Sequence, residues 1–467
     1  MNPTRFKKIF PIVILCCLTT WTWAQEKVVM TLDKAVEYAL ENSLDVRLAQ
    51  LRVEDAEQQI IEARATGLPQ INADASYNYF FRVPTQVLPE QFLQLFDAIA
   101  LLNGGGMPTE PMEVSNQASF VLRNQFQAGI NFRTMVFDGS FFTGLKAAGL
   151  YRNLLQDELA ALKQGLESNV IEAYLPAIIV NENLKILDKN IGNVEALLQE
   201  TEALYKEGFV EQLDVDRLVL TTANLKTERK NLARQYETTV NGLKAAINFP
   251  IEDEIVIADI EEWQNVIIPI TNEDLSGKIN YYNRLNYKAA ETGIQLNDLN
   301  TSFTRNQYLP RVSLNASYNQ AFQGNRLFND PNSFWAPTGI VGLSLNIPIW
   351  DGMGKSAKIQ KAKIATEISK TQQIQLAKQI DVEVANARIS YTSAIETLEG
   401  QKSNLALAER IYETTKIKYK EGVGSSLEIT QAEQGLFDSQ RNYTTALFEV
   451  LVAKLALYRA LGKLNIE

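Results

Sequence analysis

The sequence predicts a mixed α and β membrane protein in which a unit of roughly two hundred residues occurs twice. Three pairs of matching segments occur in the same order: GLPQINADASYNYFF at 67–81 and YLPRVSLNASYNQAF at 308–322, VFDG at 136–139 and IWDG at 349–352, and YKEG at 205–208 and 419–422. Each unit reads as a helix, an alternating strand, a loop, a second alternating strand and two long helices. A repeat in fixed order indicates one supersecondary unit that is used twice.

The N-terminus has the features of a secretory signal. A basic region with Arg5, Lys7 and Lys8 precedes a short apolar core, and a cleavage site is expected after Ala24. A membrane anchor helix is the alternative, but the apolar run is shorter than the ~18 residues that a span needs. The predicted organisation is a signal over 1–24, a first repeat over 25–250, a connecting segment over 251–270 and a second repeat over 271–467.

The composition argues against most enzyme classes. The chain contains no histidine, and its two cysteines, Cys16 and Cys17, lie in the signal. Histidine is the commonest general base and metal ligand, so we expect no catalytic residue, no metal site and no cofactor. The formal net charge is −10, and nucleic acid is therefore not an expected partner.

Four segments alternate apolar and polar residues with a period of two, as transmembrane β-strands do. They are predicted over about 68–81, 119–137, 309–323 and 338–350. Asp74, Arg123 and Arg133 fall on the polar faces and are candidates for the lumen of a barrel. A soluble sheet with one buried face would give the same alternation. Aromatic residues clustered at the strand ends favour the membrane.

Four strands cannot close a barrel by themselves. An open sheet edge in lipid leaves backbone groups unsatisfied at a cost of several kcal/mol each. The chain is therefore expected to share a barrel with copies of itself, and three copies would supply twelve strands, an even number of workable size.

Two pairs of long helices follow the strands, and they are predicted over about 139–206 and 211–248 and over about 352–420 and 425–462. Asp138 and Asp351 are the expected N-terminal caps, and Gly208 and Gly422 break each pair. Helices of this length indicate coiled-coil-like packing. Pro176 predicts a local kink, and the alternative is that the helix ends there.

This duplicated order resembles that of the TolC-like outer-membrane efflux proteins, over essentially the whole mature chain. The shared features are a Leu-Pro before the first strand of each repeat, an Asp-Gly exit from the second, and the Tyr-x-x-Gly turns. The resemblance implies a homotrimer with a 12-stranded outer-membrane β-barrel and a periplasmic α-helical barrel. It also implies an exit duct that an adaptor (membrane fusion) protein and an inner-membrane pump open from the periplasmic side.

The resemblance also assigns residues at the periplasmic tip. Gly208, Gly422 and Gly424 belong to the tip turns. In the family, acidic rings narrow the aperture just after the second turn, and these positions fall on Glu428 and Gln431, of which only the first is an acid. The first-repeat acid of a family link across the tip falls on Asp214. Its usual basic partner falls on Gly424, so that link is expected to be absent. A solvated helix acid is the alternative for Glu428, and for Asp214, Asp216 and Arg217 a solvated helix face is the favoured interpretation.

A periplasmic adaptor or a structural coiled coil without a pore is the alternative function. Such a protein needs one helical hairpin, whereas this chain has two, with amphipathic strands between them. An enzyme is disfavoured by the missing histidine and cysteine. The sequence does not distinguish a drug, a metal or a protein as the transported substrate, nor one pump family from another.

Overall fold

The computed structural model of the protein describes residues 28–87, 117–119, 121–258, 270–327, 331 and 333–464. The predicted signal over 1–24 lies outside these residues, as does 259–269 of the predicted connecting segment. The described residues form two compact units. The first contains those up to Arg47, those of Ala161–Asn283 and those from Ile380 onward, and the second contains those of Leu48–Ala160 and Arg284–Gln379.

The elements follow the predicted order. The described helices are α1 (Leu32–Asn42), α2 (Leu44–Ala65), α3 (Phe141–Lys206), α4 (Gln212–Ala246), α5 (Asn272–Ser276), α6 (Leu285–Asn306), α7 (Gly354–Lys420) and α8 (Ser426–Leu461). The described strands are β1 (Val28–Met30), β2 (Gln70–Tyr79), β3 (Gln86–Val87), β4 (Gln117–Ala118), β5 (Asn124–Asp138), β6 (Ile255–Ile257), β7 (Arg311–Gly324) and β8 (Phe334–Asn346).

The four long helices α3, α4, α7 and α8 stand where the sequence predicts them. Asp138 accepts the N–H of Ser140 before α3 at 2.8 Å, and Asp351 accepts the N–H of Lys355 at the start of α7, also at 2.8 Å. Helix α3 continues through Pro176, so the alternative in which it ends there is wrong. None of the described helices has an apolar stretch long enough to cross a bilayer.

The second unit contains a four-stranded antiparallel sheet in the order β2–β5–β7–β8. Its register pairs apolar with apolar residues across all four strands, as in the row Ile71, Phe132, Ala316 and Val341. The alternate rows are largely polar, as in Asp74, Gly129, Asn319 and Thr338. The sheet therefore has one apolar and one polar face. Within the described residues, β2 and β8 each pair with one neighbour in this sheet.

Two of the four predicted strands start or end four or more residues from their predicted bounds. Strand β8 covers Phe334–Asn346, whereas the prediction was 338–350. It includes Pro337, which an edge strand tolerates, and it stops before Pro348, because proline has no N–H to donate to the ladder. Strand β5 begins at Asn124 and not at 119, so Arg123 precedes the strand instead of lying within it.

Two large apolar clusters stabilise the first unit. The cluster that bears on the site lies between α3, α4, α7 and α8, and Leu187, Leu218 and Ile429 are almost completely buried in it. The other packs α1 and the small parallel β1–β6 sheet against the middle of α3 and the C-terminal part of α8. Both clusters join the first repeat to the second.

Candidate functional site at the glycine turns

The two helical hairpins close through the same backbone geometry. Gly208 has φ 80° and Gly422 has φ 72°, the left-handed conformation that favours glycine. In the first turn, Gly208 N–H donates to the Tyr205 carbonyl and Phe209 N–H donates to the Leu204 carbonyl, both at 2.9 Å. The second turn repeats both bonds at 3.0 Å, from Gly422 to Tyr419 and from Val423 to Lys418. These bonds satisfy carbonyls that a helix end leaves free.

Gly424 is a glycine for a different reason, namely the close approach of its backbone to the end of α7. A Cβ atom on Gly424 would lie 3.0 Å from the Tyr419 nitrogen and 3.2 Å from the Lys418 carbonyl carbon. The Gly424 N–H also donates to the Lys418 carbonyl at 3.1 Å. This position therefore has little room for the basic side chain that the family link requires.

Asp214 contacts the second repeat through Ser426 instead of through a side chain at position 424. The Ser426 hydroxyl donates to Asp214 Oδ1, and Arg217 Nη1 lies 3.7 Å from the same oxygen and 3.4 Å from Ser426 Oγ. The other carboxylate oxygen accepts the Glu211 N–H at 3.3 Å, which caps α4. Ser426 is buried. We call Asp214, Arg217 and Ser426 the tip triad.

Ser426 is not identified by the sequence, which favours a solvated helix face for Arg217. Arg217 lies three residues after Asp214, a spacing that brings two side chains together on one helix face. Ser426 follows the residue that caps α8, Ser425, and a second serine at that point was the available signal. Their meeting across the two repeats depends on how α4 and α8 pack.

A hydrogen bond and an ion pair connect α3 to α7 near the glycine turns. The Thr201 and Tyr419 hydroxyls lie 2.9 Å apart in a buried position, and Lys420 Nζ lies 3.4 Å from Glu200 Oε2. Burial raises the pKa of the Tyr419 hydroxyl, although its bond to Thr201 acts in the opposite direction. Tyr419 therefore stays neutral. Together with the tip triad, these contacts hold the two hairpins side by side.

The predicted aperture residues Glu428 and Gln431 lie close together on an exposed face of α8. Both line a groove of about 580 Å³ between α7 and α8, which Lys418 also lines. The N–H of Glu428 donates to the Ser425 hydroxyl at 3.2 Å, so this residue also belongs to the cap of the helix. Asp214 lies apart from this pair, in the tip triad.

A buried acid that the sequence analysis did not single out lies further along α8. Glu433 is 4% exposed, its carboxyl group is hydrogen-bonded to the Tyr412 hydroxyl, and its Oε1 has no partner among the described residues. Burial raises the pKa of Glu433, and nearby Glu413 adds to this, while the Tyr412 bond and Lys416 lower it. Burial, with the negative charge of Glu433, also raises the pKa of Tyr412.

The lumen candidates lie on the sheet of the second unit. Asn131 donates to Asp74 across the β2–β5 pair, and Arg133 lies on the same polar face nearer the helices. Arg123 is exposed and precedes β5. In the described part of the chain, no group of three or more carboxylate, thiol or imidazole side chains is arranged to hold a metal ion.

Comparison with known proteins finds similarity to outer-membrane efflux proteins. The family model for "Outer membrane efflux protein" matches residues 282–463. Over 98% of its length the chain is 21% identical to "Outer membrane protein TolC" of Vibrio cholerae, 96% of which is covered. It is 23% identical to "Cation efflux system protein CusC" of Escherichia coli K12, with 91% of this chain and 85% of that protein covered.

Solved structures show the same fold. The outer-membrane channel OprN superposes with a TM-score of 0.66 at 19% identity, covering 92% of this chain and 90% of that one. The open state of the Neisseria gonorrhoeae MtrE channel gives a TM-score of 0.65 at 17% identity, covering 93% and 90%. With the duplicated motifs and the closed glycine turns, these matches show that the chain is similar in sequence and in fold to the TolC-like outer-membrane efflux proteins.

Proposed function

We propose that the protein is the outer-membrane exit duct of an efflux or secretion system, with its long helices in the periplasm. Three copies together enclose a channel, which passes substrates from an inner-membrane pump and a periplasmic adaptor to the exterior. The protein acts by forming a path, and it carries out no chemical reaction on what passes through.

The four-stranded sheet is the observation that carries this proposal. Its register separates an apolar face from a polar face over the whole width of the sheet. Apolar residues on the outer face, such as Val341 and Leu343, are strongly exposed in the single chain and would be covered by lipid. The two edge strands would pair with those of neighbouring copies, which removes the unsatisfied edges that lipid does not tolerate.

The glycine turns support a gate at the other end of the helices. The tip triad and the Thr201–Tyr419 bond join the first hairpin to the second within one chain. An adaptor that pulled the second hairpin away from the first would have to break these bonds. Glu428 and Gln431 are the aperture candidates in this scheme, with Glu428 providing one carboxylate from each copy.

The cargo of the relatives varies, since their names refer to cations in one case and to pyoverdine in another. Proteins similar to this chain are therefore named for different cargoes, and selection of cargo is expected to lie mainly with the pump. A periplasmic adaptor without a pore, the alternative function, finds no support in these relatives.

Planar bilayers provide the test. Purified protein should migrate as a heat-modifiable oligomer on gels and should produce stepwise KCl conductance when it is added to a bilayer. A preparation that shows the heat-modifiable band but never conducts would contradict the duct. A second test is intermolecular disulfide formation between cysteines placed on β2 and β8, which should yield a covalent trimer.

A further inference from the structure

A concave site with an excess of hydrogen-bond donors lies on the polar face of the sheet, at the end where its strands meet the helices. It has a volume of about 630 Å³, and its lining includes Arg133, Arg311, Asp138, Ser313 and Ser344. All of these residues belong to the second unit. None of the tip triad residues line this site.

A β-bulge brings the charged residues of β5 to one side. Arg133 pairs with Asn315 and Asp138 pairs with Arg311, and both partners lie on the polar face of β7. Positions 133 and 138 would point to opposite faces in a regular strand, because side chains alternate. The register shift between Met135 and Phe137 inserts one residue and restores the common face.

The charges of the site do not cancel. Arg311 Nε lies 3.1 Å from Asp138 Oδ2, so this carboxylate already has a cationic partner. Its other oxygen accepts the N–H and hydroxyl of Ser140 at 2.8 and 2.6 Å. Within the described ranges, Arg133 makes no hydrogen bond or ion pair. Asp74, the next acid on this face, is four residues from the cross-strand partner of Arg133 along β2, or roughly 13 Å.

Two hydroxyls add further donors. The Asn315 amide donates to Ser344 Oγ at 3.0 Å and to Ser313 Oγ at 3.5 Å. Each hydroxyl oxygen thereby serves as an acceptor, and its own hydrogen remains available to a third group. In the described part of the chain, neither serine hydroxyl donates to an acceptor. A guanidinium fork beside two free hydroxyl donors suits the oxygens of a phosphate or carboxylate.

We propose that Arg133, with Ser313 and Ser344, forms an anion-binding site in the lumen of the duct. The site takes phosphate-like or carboxylate groups of transported molecules. This inference rests on the proposed function, because the polar face lines the lumen only when three copies enclose it. Three such sites would then form a ring of net positive charge, since each contains two guanidinium groups and one carboxylate.

Block of KCl conductance by inorganic tripolyphosphate tests the site. Arg133→Gln should raise the half-blocking concentration about tenfold, which corresponds to about 1.4 kcal/mol. Arg123→Gln is the matched control, because it removes the same charge from the opposite end of β5 and should change the value less than about twofold. Asp138→Asn keeps an acceptor for Ser140 while releasing Arg311, and it should lower the half-blocking concentration.

The possible outcomes separate the two proposals. If the Arg133→Gln protein conducts KCl and has the same half-blocking concentration as the wild type, the anion site is overturned and the duct stands. An equal rise in Arg133→Gln and Arg123→Gln would also overturn it, because that result indicates general electrostatics and not a local site. If the wild-type protein produces no KCl conductance, that result would instead contradict the proposed function.

Discussion

Replacing Glu433 by glutamine should stabilise the protein, which is unusual for a change at a buried and hydrogen-bonded position. Glu433 is 4% exposed, and one of its carboxylate oxygens has no partner among the described residues. Leaving a buried polar atom without a partner costs about 1–3 kcal/mol, and more when the group is charged. Glutamine keeps an acceptor for the Tyr412 hydroxyl and removes the charge.

The expected gain in unfolding free energy at pH 8 is therefore on the order of 1–2 kcal/mol. The dependence on pH follows from the raised pKa of Glu433 in the folded protein. An acid whose folded-state pKa is raised contributes stability below its unfolded pKa, near 4.5, and loses this contribution as the pH rises through the folded value. The wild type should lose stability over this range, whereas Glu433→Gln should lose less.

Thermal unfolding in detergent between pH 4.5 and pH 8 measures this effect. Glu428→Gln is the matched control, because it makes the same chemical change five residues earlier at an exposed position and should alter stability by less than about 0.5 kcal/mol. A Glu433→Gln protein that unfolds at a lower temperature than the wild type at pH 8 would refute the reasoning. An unaltered pH profile would refute it as well.

Three further predictions concern the tip. If Glu428 lines the aperture, Glu428→Gln should lower the cation-to-anion permeability ratio, measured as a reversal potential in a KCl gradient; an unchanged ratio would leave it a surface acid. Asp214→Ala and Ser426→Ala should each increase the open fraction of the channel in bilayers, because each removes the hydrogen bond between Ser426 and Asp214. The double variant should add little beyond Asp214→Ala, and additive effects would argue against the tip triad. Gly424→Ala should destabilise the second turn by about 1 kcal/mol or more, because the new Cβ would press on the end of α7. Gly435→Ala, where a Cβ would meet nothing within 4 Å, should be neutral or stabilising in the same thermal assay.

Local signals in the sequence were sufficient for the elements and the turns. Aspartate at the helix starts and glycine at the turns act through neighbouring backbone groups, so their roles can be inferred without tertiary structure. The alternation of the strands likewise predicted which residues share a face. It did not predict that β5 and β7, from different repeats, are neighbours in the sheet, because the pattern carries no information about strand order.

The tip triad and the buried position of Glu433 were harder to predict, because both depend on how the long helices pack. Asp214 and Ser426 are far apart in sequence, and nothing local to either residue identifies the other. Glutamate is usually a surface residue. Glu433, however, lies four residues after Ile429 and three before Leu436, both of which are buried. This spacing places Glu433 on the core-facing side of α8 and was the signal that could have identified it. The bulge at Val136, which moves Asp138 to the same face as Arg133, also leaves no pattern in the sequence.

Cysteine labelling of the sheet tests the central claim most directly. Leu314 and Asn315 are adjacent on β7, the first on the apolar face beside Leu343 and the second on the polar face beside Gly342. The mature chain as predicted contains no cysteine, so single variants give an unambiguous signal. In intact membranes, a membrane-impermeant maleimide should label Asn315→Cys through the water of the channel, and it should label Leu314→Cys only after detergent is added. Equal labelling of the two positions in intact membranes would contradict a sheet with one face in lipid and the other lining a duct.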